Sequence, residues 1–250
     1  MKSPLLYILE VLFCSGLLLA FYRLLLVRKV SFRACRRYLV AAVFLSAVIP
    51  ALDIPLYPAR TVVYPLPLVA APPAENFVQT TGELPAAVPV VPSGWRRILR
   101  PVAVGGYLTA VFLSLGFLAV RMVGIRRLRR RSRLTDCGAY TLAEHPQIAT
   151  PFSFLRTVFL GGGYEGRRRM IVLCHEVGHV RHRHSAERIA VELVRSLFWF
   201  NPFVWIAGRW LQEVHEWEAD RDVLDAGYDL TEYRTVIFHQ LFGHNPDIAC

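Results

Sequence analysis

Apolar positions follow two regimes along the chain. Up to about residue 120 they form long runs almost free of charge, and beyond it they recur at strand and helix periods between polar residues. Residues 4–27, PLLYILEVLFCSGLLLAFYRLLLV, carry only Glu10 and Arg23 as charges. About 20 apolar residues rising 1.5 Å each cross the bilayer core, so this run predicts a transmembrane helix. A cleavable signal peptide is the competing reading, but the run is long and no A-x-A-like site follows it. A second span is predicted over 38–56, weakened at its end by Pro50 and Asp53, and a third over 101–120, which holds no charge. Residues 57–100 hold eight of the sixteen prolines and almost no periodicity, which predicts an extended loop.

The second regime begins with short strands. Residues 138–164 alternate β-formers with turn residues and close on Gly161–Gly163. Residues 165–183 read as a helix, 186–200 as a second, apolar one, and 203–226 as a third ending near Gly227. Asn201–Pro202 separates the last two, because the residue before proline is pushed out of the α region.

Composition agrees with a membrane protein: 54% of residues are hydrophobic, 19% are charged, and the mean hydropathy is +0.36. The net charge of +10 is uneven. Residues 1–135 hold 18 Lys and Arg against 4 Asp and Glu, whereas residues 136–250 hold 11 against 15. Within the apolar half, the expected short loop 28–37 carries five basic residues and 121–133 carry seven, against four in 57–100 and Lys2 alone at the N-terminus. The positive-inside rule then puts the N-terminus and loop 57–100 outside and residues 121 onward in the cytoplasm. The run Arg126–Arg133 is read as a juxtamembrane anchor on anionic membrane lipid, with no direct nucleic-acid partner. Five scattered cysteines form neither a disulfide framework nor a C-x-x-C site. The expected fold class is a mainly α membrane protein, with a membrane domain over 1–133 and a cytoplasmic α+β domain over 134–250.

The chemistry lies in His175-Glu176-Val177-Gly178-His179, an H-E-x-x-H motif. Positions i and i+4 share a helix face, so His175 and His179 can bind one Zn²⁺, with Glu176 placed as general base for an attacking water. A catalytic zinc needs a third protein ligand and an open position. His182 falls about 10 Å along the helix axis from His175. His184 is expected to point to the opposite face. Both are expected to be solvated or to support the ligands from behind. The better candidate lies in HEWEAD, residues 215–220, where Glu216 can ligate the metal and Asp220, one turn on, can accept a hydrogen bond from a ligating imidazole. His215 and Glu218 rank below Glu216. Residues 189–211 look like a fourth span, yet a single crossing would put Glu216 on the wrong side of the membrane. Their charge-free core is 13 residues, 196–208, broken by Asn201–Pro202, so a helical hairpin that returns Glu216 to the site is expected. An extended substrate could add as a strand beside residues 150–160. Tyr228, Tyr233 and His239 are unranked candidates for stabilising an oxyanion.

HEVGHVRHRHSAE, FWFNPFVW and HEWEAD with VLDAG after it, preceded by PFSFLRTVFL, resemble the BlaR/MecR-type antirepressor metallopeptidases, which are gluzincin-like membrane proteases. The specific motifs cover about residues 150–230, and the upstream spans are similar in kind. The resemblance implies Zn²⁺ held by His175, His179 and Glu216, with Glu176 as general base. It implies cytoplasmic proteolysis of a protein substrate, often a transcriptional repressor or the protease itself, after a signal from outside. The chain departs from the best-known members in lacking a fourth clear span and a penicillin-binding sensor domain, so β-lactam sensing is not implied. A membrane signalling scaffold with a structural zinc is the alternative function. An intramembrane protease fits less well, because Arg167–Arg169 and Arg181–Arg183 flank the motif.

Overall fold

The computed structural model describes residues 4–27, 29–52 and 94–242. Seven helices and four strands are present among them. The chain divides into one unit of residues 1–52 with 108–250 and another of residues 53–107. In the second unit the described residues form the beginning of α3. Most of the expected loop, 57–93, lies outside the described residues, and residues 94–100 are helical.

Among the described residues, three helices are long and apolar enough to cross a membrane. α1 (Pro4–Phe21) runs on through a wider π-type turn at Tyr22–Leu26. It buries Val11, Ser15 and Leu19, one per turn, and exposes Leu5, Leu9, Phe13 and Leu17. α2 (Phe32–Val48) begins six residues before the expected span. Ser31 caps it, accepting from the Ala34 amide at 3.4 Å. Arg33, Arg36 and Arg37 therefore belong to a helix and not to a loop, and Arg36 is buried in line with Leu39 and Val43. α3 (Gly94–Arg131) extends beyond its charge-free core at both ends, and its last turns carry the basic run.

The sheet has the order β1 (Arg133–Asp136), β2 (Thr141–Glu144), β4 (Thr157–Leu160), β3 (Phe152–Phe154). β2 and β4 are parallel, whereas β1 and β3 pair antiparallel at the edges. β4 is the buried centre, which is why TVFL reads as an unbroken β-forming run. β1 starts ahead of the expected strand region. It is exposed throughout and has no apolar alternation to announce it. Gly161 ends β4 where an added Cβ would lie 2.1 Å from the Ile148 carbonyl oxygen, a contact that only glycine avoids.

α4 (Gly166–Arg181), α5 (His184–Leu197), α6 (Pro202–Asp225) and α7 (Leu230–Phe242) complete the fold. Asn201 caps α6, accepting from the Phe203 amide at 2.9 Å, and donates to Ser15 Oγ at 2.9 Å. α5 and α6 form the expected antiparallel hairpin, with His184 beside Glu218 and Val191 against Gly208. The first half of α6 shares a core with α1, α2 and α5 through Leu39, Val43, Val191, Val204 and Leu211. Its last turns share another with β2, β4, α4 and α7 through Val158, Ile171, Val223 and Tyr233. The acidic residues of HEWEAD occupy the stretch between these two cores.

Candidate metal centre

α4 is held against α6 by the small residue in the motif. A Cβ on Gly178 would meet Asp222 Oδ2 at 3.2 Å and Ala219 Cα at 3.4 Å, so glycine lets the two helices approach closely. His175 and His179, one turn apart, then face Glu216. Their Nε2 atoms lie 3.2 Å apart, and Glu216 Oε2 lies 3.4 Å from the first and 3.7 Å from the second. Tetrahedral ligand atoms at about 2.0–2.1 Å from a zinc ion stand roughly 3.3 Å from one another. This donor set could hold a metal ion.

The far side of each imidazole is occupied. His175 Nδ1 lies 2.8 Å from the Tyr233 hydroxyl and 3.2 Å from Asp220 Oδ1, and that hydroxyl donates to the same carboxylate oxygen at 2.5 Å. Asp220 thus stands where the i,i+4 spacing put it, and Tyr233 joins it from α7. His179 Nδ1 lies 2.7 Å from His184 Nδ1. With both Nδ1 atoms engaged, both Nε2 atoms are directed at Glu216.

His184 does not lie on the opposite face and is not solvated; of the two expected roles, it takes the one behind a candidate ligand, against His179. α4 stops at Arg181, and Arg183 at φ 59° turns the chain before α5 begins, so helical extrapolation across 182–184 fails. His184 is 2% exposed, stacked on His215 with ring centroids 4.0 Å apart, and 3.1 Å from Glu218 Oε2. His182 is not solvated either: its Nε2 is 2.9 Å from Asp222 Oδ2 and its Nδ1 is 3.6 Å from Glu218 Oε1. His215 pairs with Glu187 at 2.9 Å, and Glu218 faces away from the His175–His179 pair toward Arg36, so neither takes the place of Glu216.

Electrostatics follow from burial and pairing. Burial pulls the His175 imidazole down, but hydrogen bonds to Asp220 and Glu216 outweigh it and hold its pKa up at about 10 in the metal-free protein. The same bonds from His175 and His179 hold the Glu216 carboxyl well below the usual range. Glu176, buried beside them, is pushed up by desolvation, opposed by His175, His179 and a hydrogen bond from Ser153. Burial, with His215, His179 and Arg36 close by, pushes the His184 imidazole down. Burial and the hydrogen bond to Asp220 push the Tyr233 phenol up.

The cleft over these residues holds about 210 Å³ and is lined by His175, Glu176, His179, Glu216 and, from the edge strand, Phe152 and Ser153. A neighbouring cavity of about 240 Å³ lies between Glu216, Asp220 and Tyr233. Of the three oxyanion candidates, Tyr233 reaches the site, though its hydroxyl is committed to Asp220 and His175. Tyr228 packs beside the sheet core, and the His239 side chain lies outside the described residues. Cys174 is half-buried off the ligand face, its Sγ 3.9 Å from the Asp222 carbonyl oxygen.

The profile of the BlaR1 peptidase M56 family matches residues 17–247, and the chain belongs to that family. The match takes in α1 from Leu17 onward, all of α2, and every residue of the site. No curated protein matches the chain.

Proposed function

We propose that the protein is a zinc-dependent integral membrane endopeptidase whose site faces the cytoplasm and cleaves a protein substrate, a transcriptional repressor or the chain itself, in response to a signal. The observation that carries this reading is the convergence of His175 Nε2, His179 Nε2 and Glu216 Oε2 within 3.7 Å, with the Glu176 carboxylate buried beside them. His175, His179 and Glu216 would hold Zn²⁺, which when bound polarises the scissile carbonyl and lowers the pKa of an attacking water.

The chain's own residues do the rest. Asp220 and Tyr233 fix the His175 ring through Nδ1. Glu176 takes the proton from water and delivers it to the leaving amine, and the upward push from burial moves its basicity toward neutral pH, where a general base works best. β3 ends the sheet and Ser153 reaches Glu176, so a peptide added along that edge lies across the cleft in extended form. The basic runs at 28–37 and 121–133 support the cytoplasmic placement, in a bacterial-type inner membrane, with the arginines at the end of α3 on anionic lipid.

The family match and the filled general-base position favour catalysis over a scaffold with a structural zinc. The proteomes of cells carrying the wild-type chain and Glu176→Gln test the reading. Protein fragments present only with the wild type support it, and identical proteomes after induction count against it.

A further inference from the structure

α2 reaches the residues behind the site. Arg36 of α2 is 9% exposed, although it sits in an otherwise apolar buried stripe with Leu39 and Val43. Its Nη1 donates to Glu218 Oε2 at 2.7 Å and to the His182 carbonyl oxygen at 3.2 Å, and its Nε lies 3.3 Å from Glu187 Oε1. Glu218, 5% exposed, uses the same Oε2 to meet His184 Nε2 at 3.1 Å. His184, 2% exposed, meets His179 Nδ1 at 2.7 Å through its own Nδ1.

The donors and acceptors have one consistent assignment when His179 uses Nε2 toward the cleft. His179 Nδ1–H donates to His184 Nδ1, His184 Nε2–H donates to Glu218, and Glu218 also accepts from Arg36. Arg36, Glu218 and His184 are buried and His179 is half-buried, and an isolated charge buried this way is costly, so the run is held together as a unit. Ligating imidazoles depend on a partner at the second nitrogen to fix ring orientation. For His175 that partner is Asp220. For His179 it is another imidazole, itself oriented from α2.

We propose that Arg36 is a positioning residue for the metal centre, holding the His179 ring in its ligating orientation through Glu218 and His184. This rests on the zinc reading above. It makes α2 part of the peptidase site: a shift of α2 against α6 reaches the metal through three hydrogen bonds. A plain packing role for the Arg36–Glu218 pair would move stability but leave metal affinity alone, and the two roles separate on that ground.

The test uses the full chain in detergent, with Zn²⁺ affinity measured by competition with a chromogenic chelator. Co²⁺ d–d absorption reports ligand geometry, and melting of the metal-free protein reports folding. His184→Leu, which leaves His179 Nδ1–H without an acceptor, should weaken Zn²⁺ binding about 10–100-fold and change the Co²⁺ bands. His184→Gln can accept from His179 with its carbonyl oxygen and donate to Glu218 with its amide, and should restore affinity to within about fivefold. Arg36→Met should weaken binding about tenfold or more. Arg36→Lys keeps a cation between the two carboxylates but cannot span all three partners, and should fall between wild type and Arg36→Met. If Arg36→Met fails to melt cooperatively, Arg36→Lys decides alone. Wild-type affinity in folded Arg36→Met, or in Arg36→Lys where that variant decides, overturns the proposal. So does wild-type affinity in His184→Leu, or failure of His184→Gln to improve on it. A wild-type chain that takes up no Zn²⁺ overturns the zinc reading and this proposal together, a result distinct from wild-type binding that the variants leave unchanged.

Discussion

At the scale of single residues, the site divides into side chains that would touch a metal and side chains that aim them. Glu216 belongs to the first kind, with its Oε2 3.4 Å from His175 Nε2 and 3.7 Å from His179 Nε2. Two imidazoles make an incomplete set, so Glu216→Ala should lose most bound zinc, read as metal per chain after dialysis. Tyr233 belongs to the second kind. Tyr233→Phe keeps the ring and removes the hydroxyl that joins His175 Nδ1 to Asp220, and zinc affinity measured by chelator competition should fall about tenfold. The pairing of His175 with His179 and of Glu216 with Asp220 was legible in the sequence because i,i+4 spacing on one helix keeps two side chains on one face. Tyr233 stood only as one of three unranked candidates, since nothing in a sequence says how α7 returns to α4. His184 was misplaced because one left-handed residue, Arg183, cancels the helical phase that the extrapolation assumed.

At the scale of elements, the α5–α6 hairpin decides whether Glu216 meets the histidines at all. Asn201 holds its corner, capping α6 with Oδ1 and reaching Ser15 of α1 with Nδ2 while fully buried. Asn201→Ala removes the cap and leaves Ser15 and the Phe203 amide without that partner, a loss of about 1–3 kcal/mol. A melting temperature lower by about 3–8 °C checks this. Asn201–Pro202 marked the corner in the sequence, and the need to bring Glu216 back to His175 fixed its sense. The start of α2 was harder to see. Five basic residues in ten looked like a loop of surface charge, although Arg36 lies three and seven residues before Leu39 and Val43, which are also buried. The periodicity was present, but a buried arginine is expected only once its partners, Glu218 and Glu187, are known. β1 was missed for the opposite reason: an exposed edge strand needs no apolar pattern.

At the scale of the whole molecule, α1 and α2, both apolar enough to cross a membrane, belong to one unit with α5 and α6, sharing the core of Leu19, Leu39, Val194, Val204 and Leu211. That sharing is what the long apolar runs could not convey, since an apolar face directed at lipid and one directed at α6 read alike in sequence. The orientation argued from basic residues predicts reporter activity characteristic of the outside after residue 75 and of the cytoplasm after residue 135, and an outside signal at 135 contradicts it. The central claim, that this site is a working peptidase with Glu176 as its general base, is tested most directly by one paired measurement. The purified full-length wild type and Glu176→Gln are given the same zinc load and the same protein substrate, a repressor or the chain itself, and cleavage is followed with bound zinc measured in parallel. Equal zinc is expected in both, with cleavage by Glu176→Gln slower by roughly 10²-fold or more. Equal zinc with equally fast cleavage would contradict that claim.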